Sequence, residues 1–176
     1  MKSLEEILSG GDLRSIGKGN SVVKKIQTQS GFDELFSLLF HRNRIVVMRA
    51  ADTVEKICRN NPGYLQPHKK EVLTLCGSAS DKELVWHLAQ LVPRLRLTAK
   101  DRRSSWKLLS GWALDKTESR IVRVNALQSL AELSIQDDSL KSDFNQVVQT
   151  LEKENVPSIN ARIRLIRRRR RLPSHE

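Results

Sequence analysis

The stretch Arg120–Leu133, RIVRVNALQSLAEL, has two partners elsewhere in the chain at regular spacing, and that regularity limits the possible folds more than any other feature. Aligned with Arg44–Ile57, RIVVMRAADTVEKI, it places Ile121 on Ile45, Val122 on Val46, Val124 on Met48, Ala126 on Ala50, Leu130 on Val54 and Leu133 on Ile57. Midway between them, Lys82–Leu95 supplies Leu84, Trp86, Leu88, Ala89, Val92 and Leu95 at the corresponding places. Within each copy the apolar residues recur at helical spacing. Three helices of one design, about 38 residues apart, predict a repeat array in which neighbours bury each other's apolar stripes.

Turn signals divide the rest of the chain. Residues 4–9 (LEEILS) read as a short helix ended by Gly10 and Gly11, and Asp12–Asn20 as an irregular N-terminal lead-in. Ser21 caps a helix through Val22, Val23 and Ile26 to about Gln29. Gly31 is expected to break it, and Phe32–Phe40 to form the next helix. After the helix at 44–59, Pro62 and Gly63 reverse the chain and Pro67 sits in the first turn of a helix running to Cys76. Gly77–Asp81 is the next break, and Pro93 should shorten the helix at 82–96. Thr98 with Asp101 forms a capping box for a helix from Ala99 to about Leu114. Asp115–Ser119 turns into the helix at 120–134. Asp137, Asp138 or Ser139 caps a helix to Glu154, and Pro157 and Ser158 introduce a last helix, Ile159–Leu172. The second helices repeat as well: Trp106 falls on Phe144, Leu109 on Val147 and Ala113 on Leu151.

The organisation this predicts is one all-helical domain over 1–176. It has an irregular N-terminal entry at 1–20, an atypical first repeat at 21–43, regular repeats at 44–154 and an arginine-rich terminal helix and tail at 155–176. Val122-Arg123-x-x-Ala126-Leu127-x-x-Leu130, after an Asp-led turn, resembles the first helix of a HEAT repeat. The other copies match less closely: Val47 stands where the usual arginine would be, and Ala161-Arg162-Ile163-Arg164-Leu165 keeps the arginine with larger side chains. The resemblance covers about residues 20–172 and extends to small bacterial HEAT-repeat proteins. It implies a right-handed alpha-alpha superhelix of about four helix pairs, with the second helices lining the concave side. It also implies a binding scaffold and not an enzyme.

Charge points to the nature of the partner. The 176 residues carry a formal net charge of +11, and from Arg162 to Arg171 seven of ten residues are arginine. Without those seven, 24 basic residues face 20 acidic ones. Ile159, Ile163 and Ile166 form a stripe expected to dock on the helix at 139–154, leaving Arg164, Arg168 and Arg171 together outside. A polar cap needs no particular sign of charge, whereas adjacent arginines repel one another. This cluster (Arg162, Arg164, Arg167, Arg168, Arg169, Arg170 and Arg171) is therefore a candidate anion-binding surface, since a guanidinium makes paired hydrogen bonds to carboxylate or phosphate. A second candidate set lies on the second helices: Lys69 and Lys107 share one repeat position, and Arg103 and Lys141 another. Lys100 and Arg102 extend it.

The expected function is a non-catalytic adaptor that recognises an acidic protein surface. Sequence-independent nucleic-acid binding through phosphate contacts is the alternative. Few aromatics are available for base stacking, with three Trp, one Tyr and four Phe. A HEAT-like DNA glycosylase is a remote third reading, for which Trp106, Trp112 and Asp115 are the comparable residues. No cofactor, metal or small-molecule substrate is expected: His41, His68, His87 and His175 are scattered, and Gly10-Gly11 and Gly17-x-Gly19 lack the context of a phosphate loop. Trp86 is expected in the core, and Arg49, His87 and Asn125 in a polar column that makes hydrogen bonds between repeats. No apolar run exceeds Ile45–Met48, and MKSLEEIL lacks the apolar stretch of an export signal. These features predict a cytoplasmic protein without membrane insertion, with Cys58 and Cys76 as reduced, buried thiols.

Overall fold

The computed structural model describes residues 3–10 and 19–171, and those residues are all-α, 84% helical and without strands. Ten α-helices follow in order: α1 (Leu4–Ser9), α2 (Gly19–Lys25), α3 (Gln29–Ser37), α4 (Arg44–Asn60), α5 (Lys69–Ser78), α6 (Lys82–Leu91), α7 (Ala99–Leu114), α8 (Arg120–Gln136), α9 (Lys141–Lys153) and α10 (Pro157–Arg171). Short 3₁₀ turns at Leu38–Phe40, Pro62–His68, Val92–Arg94 and Asp138–Leu140 tighten the joints.

Local chemistry sets the helix starts. The hydroxyl of Thr98 accepts from the Asp101 N–H while the Asp101 carboxylate accepts from the Thr98 N–H, the reciprocal cap predicted for α7. Asn43, Asp81 and Ser119 cap α4, α6 and α8 through their side-chain oxygens. Pro93 lies in the 3₁₀ turn that replaces the last turn of the 82–96 helix, because its missing N–H cannot continue the α-helical ladder.

Helices at corresponding positions pack in two rows. α4 lies on α6, α6 on α8 and α8 on α10, while α5 lies on α7 and α7 on α9. Burial follows the sequence correspondence. Val46, Leu84 and Val122 are buried, as are Ala50, Leu88 and Ala126; Val54, Val92 and Leu130; and Ile57, Leu95 and Leu133. One apolar core runs from Leu8 on α1 to Ile166 on α10. Polar links also cross from each first helix to its predecessor. Ser129 Oγ donates to the Ala89 carbonyl (2.6 Å), Gln136 Nε2 to the Pro93 carbonyl (2.8 Å) and Arg94 Nη1 to the Glu55 carbonyl (3.0 Å).

Several expectations are corrected. Gly31 does not break a helix. It lies in the first turn of α3, where its N–H donates to the capping Thr28 hydroxyl, and α2 has already ended at Lys25. Pro67 lies in a 3₁₀ turn ahead of α5, which begins only at Lys69. Gly19 and Asn20 open α2, while the remainder of the expected lead-in and the tail beyond Arg171, His175 included, lie outside the described residues. Trp86 is half-buried and stacks on His87 at 3.5 Å instead of joining the core, as helical rotation places that register at the edge of the stripe. The polar column makes no uniform set of hydrogen bonds between repeats: Arg49 Nη1 reaches the carbonyls of Leu8 (2.6 Å) and Gly10 (2.7 Å), and Asn125 bonds back to Ile121 in its own helix.

Candidate anion-binding surface

The arginine helix is set by the turn before it. Asn155 adopts φ 54°, a left-handed conformation that Asn tolerates at a helix end, and Pro157 opens α10 where its missing N–H is not needed. Ile159, Ile163 and Ile166 are buried. Each contributes about 1.5–3 kcal/mol on leaving water. They seat α10 against both α8 and α9, with the larger contact on α8, so the expectation of docking on the 139–154 helix alone is corrected. The cause is the two-row packing, which puts each first helix on the first helix before it.

Helical rotation divides the arginines into two groups. Arg162 Nη1 donates to Gln128 Oε1 on α8 at 3.2 Å. Burial lowers its pKa from the ordinary value, Arg169 lowers it further, and Glu132 partly offsets both. Arg170 lies with its guanidinium carbon 4.4 Å from the centre of the Phe144 ring, and its Nη2 donates to the Ala131 carbonyl (3.1 Å) and Ser134 Oγ (2.5 Å). Arg167 grips Glu152 through two parallel bonds of 2.6 and 3.0 Å. These three anchor the helix. Arg164, Arg168 and Arg169 are exposed and have no ion pair or hydrogen bond among the described residues. The side chain of Arg171 lies outside the described residues.

The second set is similarly divided. Lys69 Nζ on α5 meets Asp101 Oδ2 on α7 at 3.2 Å, and Arg102 Nη1 on α7 meets Asp137 Oδ2 ahead of α9 at 3.0 Å. Asp101 is held below the usual carboxylate range by the Thr98 hydroxyl and then by Lys69. These cations therefore join successive second helices along one edge. Lys141 pairs with Asp138 at 2.8 Å. Arg103 and Lys107, i and i+4 on α7, are exposed and unpaired among the described residues. No described cavity is lined by both sets.

Sequence reading missed a charge cluster centred on a buried carboxylate. Glu55 is 1% exposed and accepts from Arg59 Nε (2.8 Å) and Nη2 (2.7 Å) in its own helix. Arg94, beyond α6, adds a third bond at 2.6 Å. Burial pushes the carboxyl pKa up, but the two guanidiniums outweigh it and hold it below the ordinary value. The i, i+4 spacing of Glu55 and Arg59 was the only signal in the sequence, and that spacing also occurs on solvated faces.

Other reactive groups are enclosed or occupied. Cys58 and Cys76 are buried and free, and burial pushes both thiols up to about 12. His87 is 2% exposed, and burial pushes it down to about 4. Asp115 Oδ1 accepts from the Thr117 N–H (2.8 Å) and hydroxyl (2.7 Å), which closes the turn before α8, and Trp106 is buried. Among the described residues no three His, Cys, Asp or Glu side chains converge as a metal site would require, and no helix is long and apolar enough to cross a membrane. Comparison of the chain with protein-family models, curated proteins and solved structures finds no match.

Proposed function

We propose that the chain is a HEAT-like right-handed superhelical array that acts as a non-catalytic adaptor, holding an acidic protein partner through α10. One observation carries this reading: Arg164, Arg168 and Arg169 stand exposed and, among the described residues, unpaired on a helix fixed by a buried isoleucine stripe and three anchored arginines. A cationic face on a fixed helix loses little segmental freedom when carboxylates arrive, so the ordering cost is confined to the arginine side chains. The correspondence of burial between α4, α6 and α8 supports the array. The engagement of Asp115 Oδ1 in its turn and the burial of Trp106 count against the glycosylase reading, for which the half-buried Trp112 is the remaining ring.

Phosphate-backbone binding is the second reading, favoured by Arg103 and Lys107 on α7, which are unpaired among the described residues. Lys69, Arg102 and Lys141 are already paired, which weakens the case for a continuous basic track. Affinity purification with the wild type and with the R164E/R168E/R169E variant tests the adaptor reading, alongside anisotropy titrations of duplex DNA at several salt concentrations. Loss of acidic-surfaced partners in the variant supports it. An unchanged partner set refutes it. DNA affinity with a log–log salt slope of about −2, kept in this variant and removed by R103E/K107E, would favour the phosphate reading.

A further inference from the structure

We infer that the outer face of α10 receives an acidic amphipathic helix from the partner, laid along it as a next first helix would be. This rests on the adaptor reading above and specifies the form of what is bound. Ile159, Ile163, Ile166 and Arg170 stand at a constant offset from Val122, Ala126, Ser129 and Leu133, and all but the arginine are buried like their counterparts. The same offset places Arg164, Leu165 and Arg168 where α8 has Leu127, Gln128 and Ala131. That is the side of α8 that meets α10, through Gln128 and the Ala131 carbonyl. Arg164, Leu165 and Arg168 thus occupy the stacking side of α10, and all three are exposed, Leu165 at 51%.

Polarity identifies what fits there. Along the middle and C-terminal parts of the first helices, the later helix donates to the earlier one: Arg94 to Glu55, Ser129 to Ala89, Arg162 to Gln128, Arg170 to Ala131 and Ser134. On α10 the corresponding positions carry Arg164, Leu165 and Arg168, none with an acceptor side chain, so the incoming element must bring acceptors. A second α10-like helix would bring cations and be repelled. Leu165 lies between Arg164 and Arg168 on one side and Arg169 on the other, with half-buried Ala161 one turn before it. A phosphate backbone gains nothing from an exposed leucine. A helix with an apolar stripe flanked on both sides by Asp or Glu fills the strip and pairs both rows.

The test uses the full chain and three labelled probes: a glutamate-flanked, leucine-striped helical peptide matched to α10 in length, a permutation of the same composition without the stripe, and a short DNA duplex. Anisotropy is measured with wild type, Leu165→Ser and R164E/R168E, and circular dichroism verifies that the variants remain helical. The expected result is at least about tenfold tighter binding of the striped peptide than of its permutation, a preference lost in both variants. Equal affinity for the two peptides, weakened together by R164E/R168E, overturns helix docking and leaves the acidic-partner reading standing. Binding of DNA with neither peptide, or of no probe at all, overturns both.

Discussion

Replacing Arg94 with methionine tests whether the buried charges around Glu55 hold consecutive first helices together. The substitution removes two bonds from Arg94, at 3.0 Å to the Glu55 carbonyl and 2.6 Å to its carboxylate, and leaves a carboxylate that is 1% exposed. Removing one partner of a buried pair costs about 3–5 kcal/mol, because the other charge stays desolvated. Arg59 remains bidentate on Glu55, so the cost falls at the lower end, about 3 kcal/mol. For a chain of this length that lowers Tm by about 6–12 °C. The pH dependence has a definite sign. In the wild type the depressed Glu55 pKa contributes stability above the ordinary carboxylate value and loses it as pH falls. In the variant, burial favours the protonated acid, so the penalty of the substitution should shrink on acidification. Replacing both partners, E55L/R94M, removes the stranded charge and should recover stability to within about 1 kcal/mol of wild type. Urea unfolding followed by circular dichroism at neutral and mildly acidic pH measures all three effects. A loss below about 1 kcal/mol for R94M, or a double variant no more stable than R94M, would refute the reasoning.

Two further predictions concern stability. His87, surrounded by Asp52, Glu55, Lys56 and Arg59, is pushed from 6.5 to about 4 by burial, so the fold should lose on the order of 3 kcal/mol as pH falls through that window. His87→Leu should flatten the upper part of that loss in urea titrations, above the range where carboxylates titrate. Asn155 at φ 54° should be replaceable by glycine with little cost, whereas Asn155→Val should lose about 1 kcal/mol or more from steric strain, read as a shift in the thermal midpoint.

The first helices were legible because a core stripe leaves a period that survives changes of residue. Leu84, Trp86 and Leu88 align with Val122, Val124 and Ala126 although no residue is identical. Caps with two reciprocal side chains, such as Thr98 and Asp101, were legible for the same reason: two constraints had to coincide. Gly31 was misread because a glycine carries no such coincidence. Its effect depends on whether a cap lies upstream, and Thr28 supplies one. The Glu55 cluster was missed because its third member, Arg94, arrives from another helix. Comparing the copies could not reveal it either, because at the register of Glu55 the others carry Pro93 and Ala131.

The arginine run shows how far charge counting can carry such a reading. Composition treats the seven residues as equivalent. Rotation about the α10 axis separates them once both buried contacts are known. The contact with α8 turns Arg162 toward Gln128 and Arg170 toward Ala131 and Ser134, and Arg170 also lies over the Phe144 ring of α9. Their hydrogen-bonding capacity is partly committed to their own protein before a partner approaches. Among the described side chains, what remains for recognition is Arg164, Arg168 and Arg169, the residues displaced by rotation from both buried contacts. The selectivity of the surface therefore depends less on its net charge than on the spacing of those three around Leu165. A partner that matches the charge without matching the spacing would gain only the weak, salt-screened attraction of an exposed cationic patch.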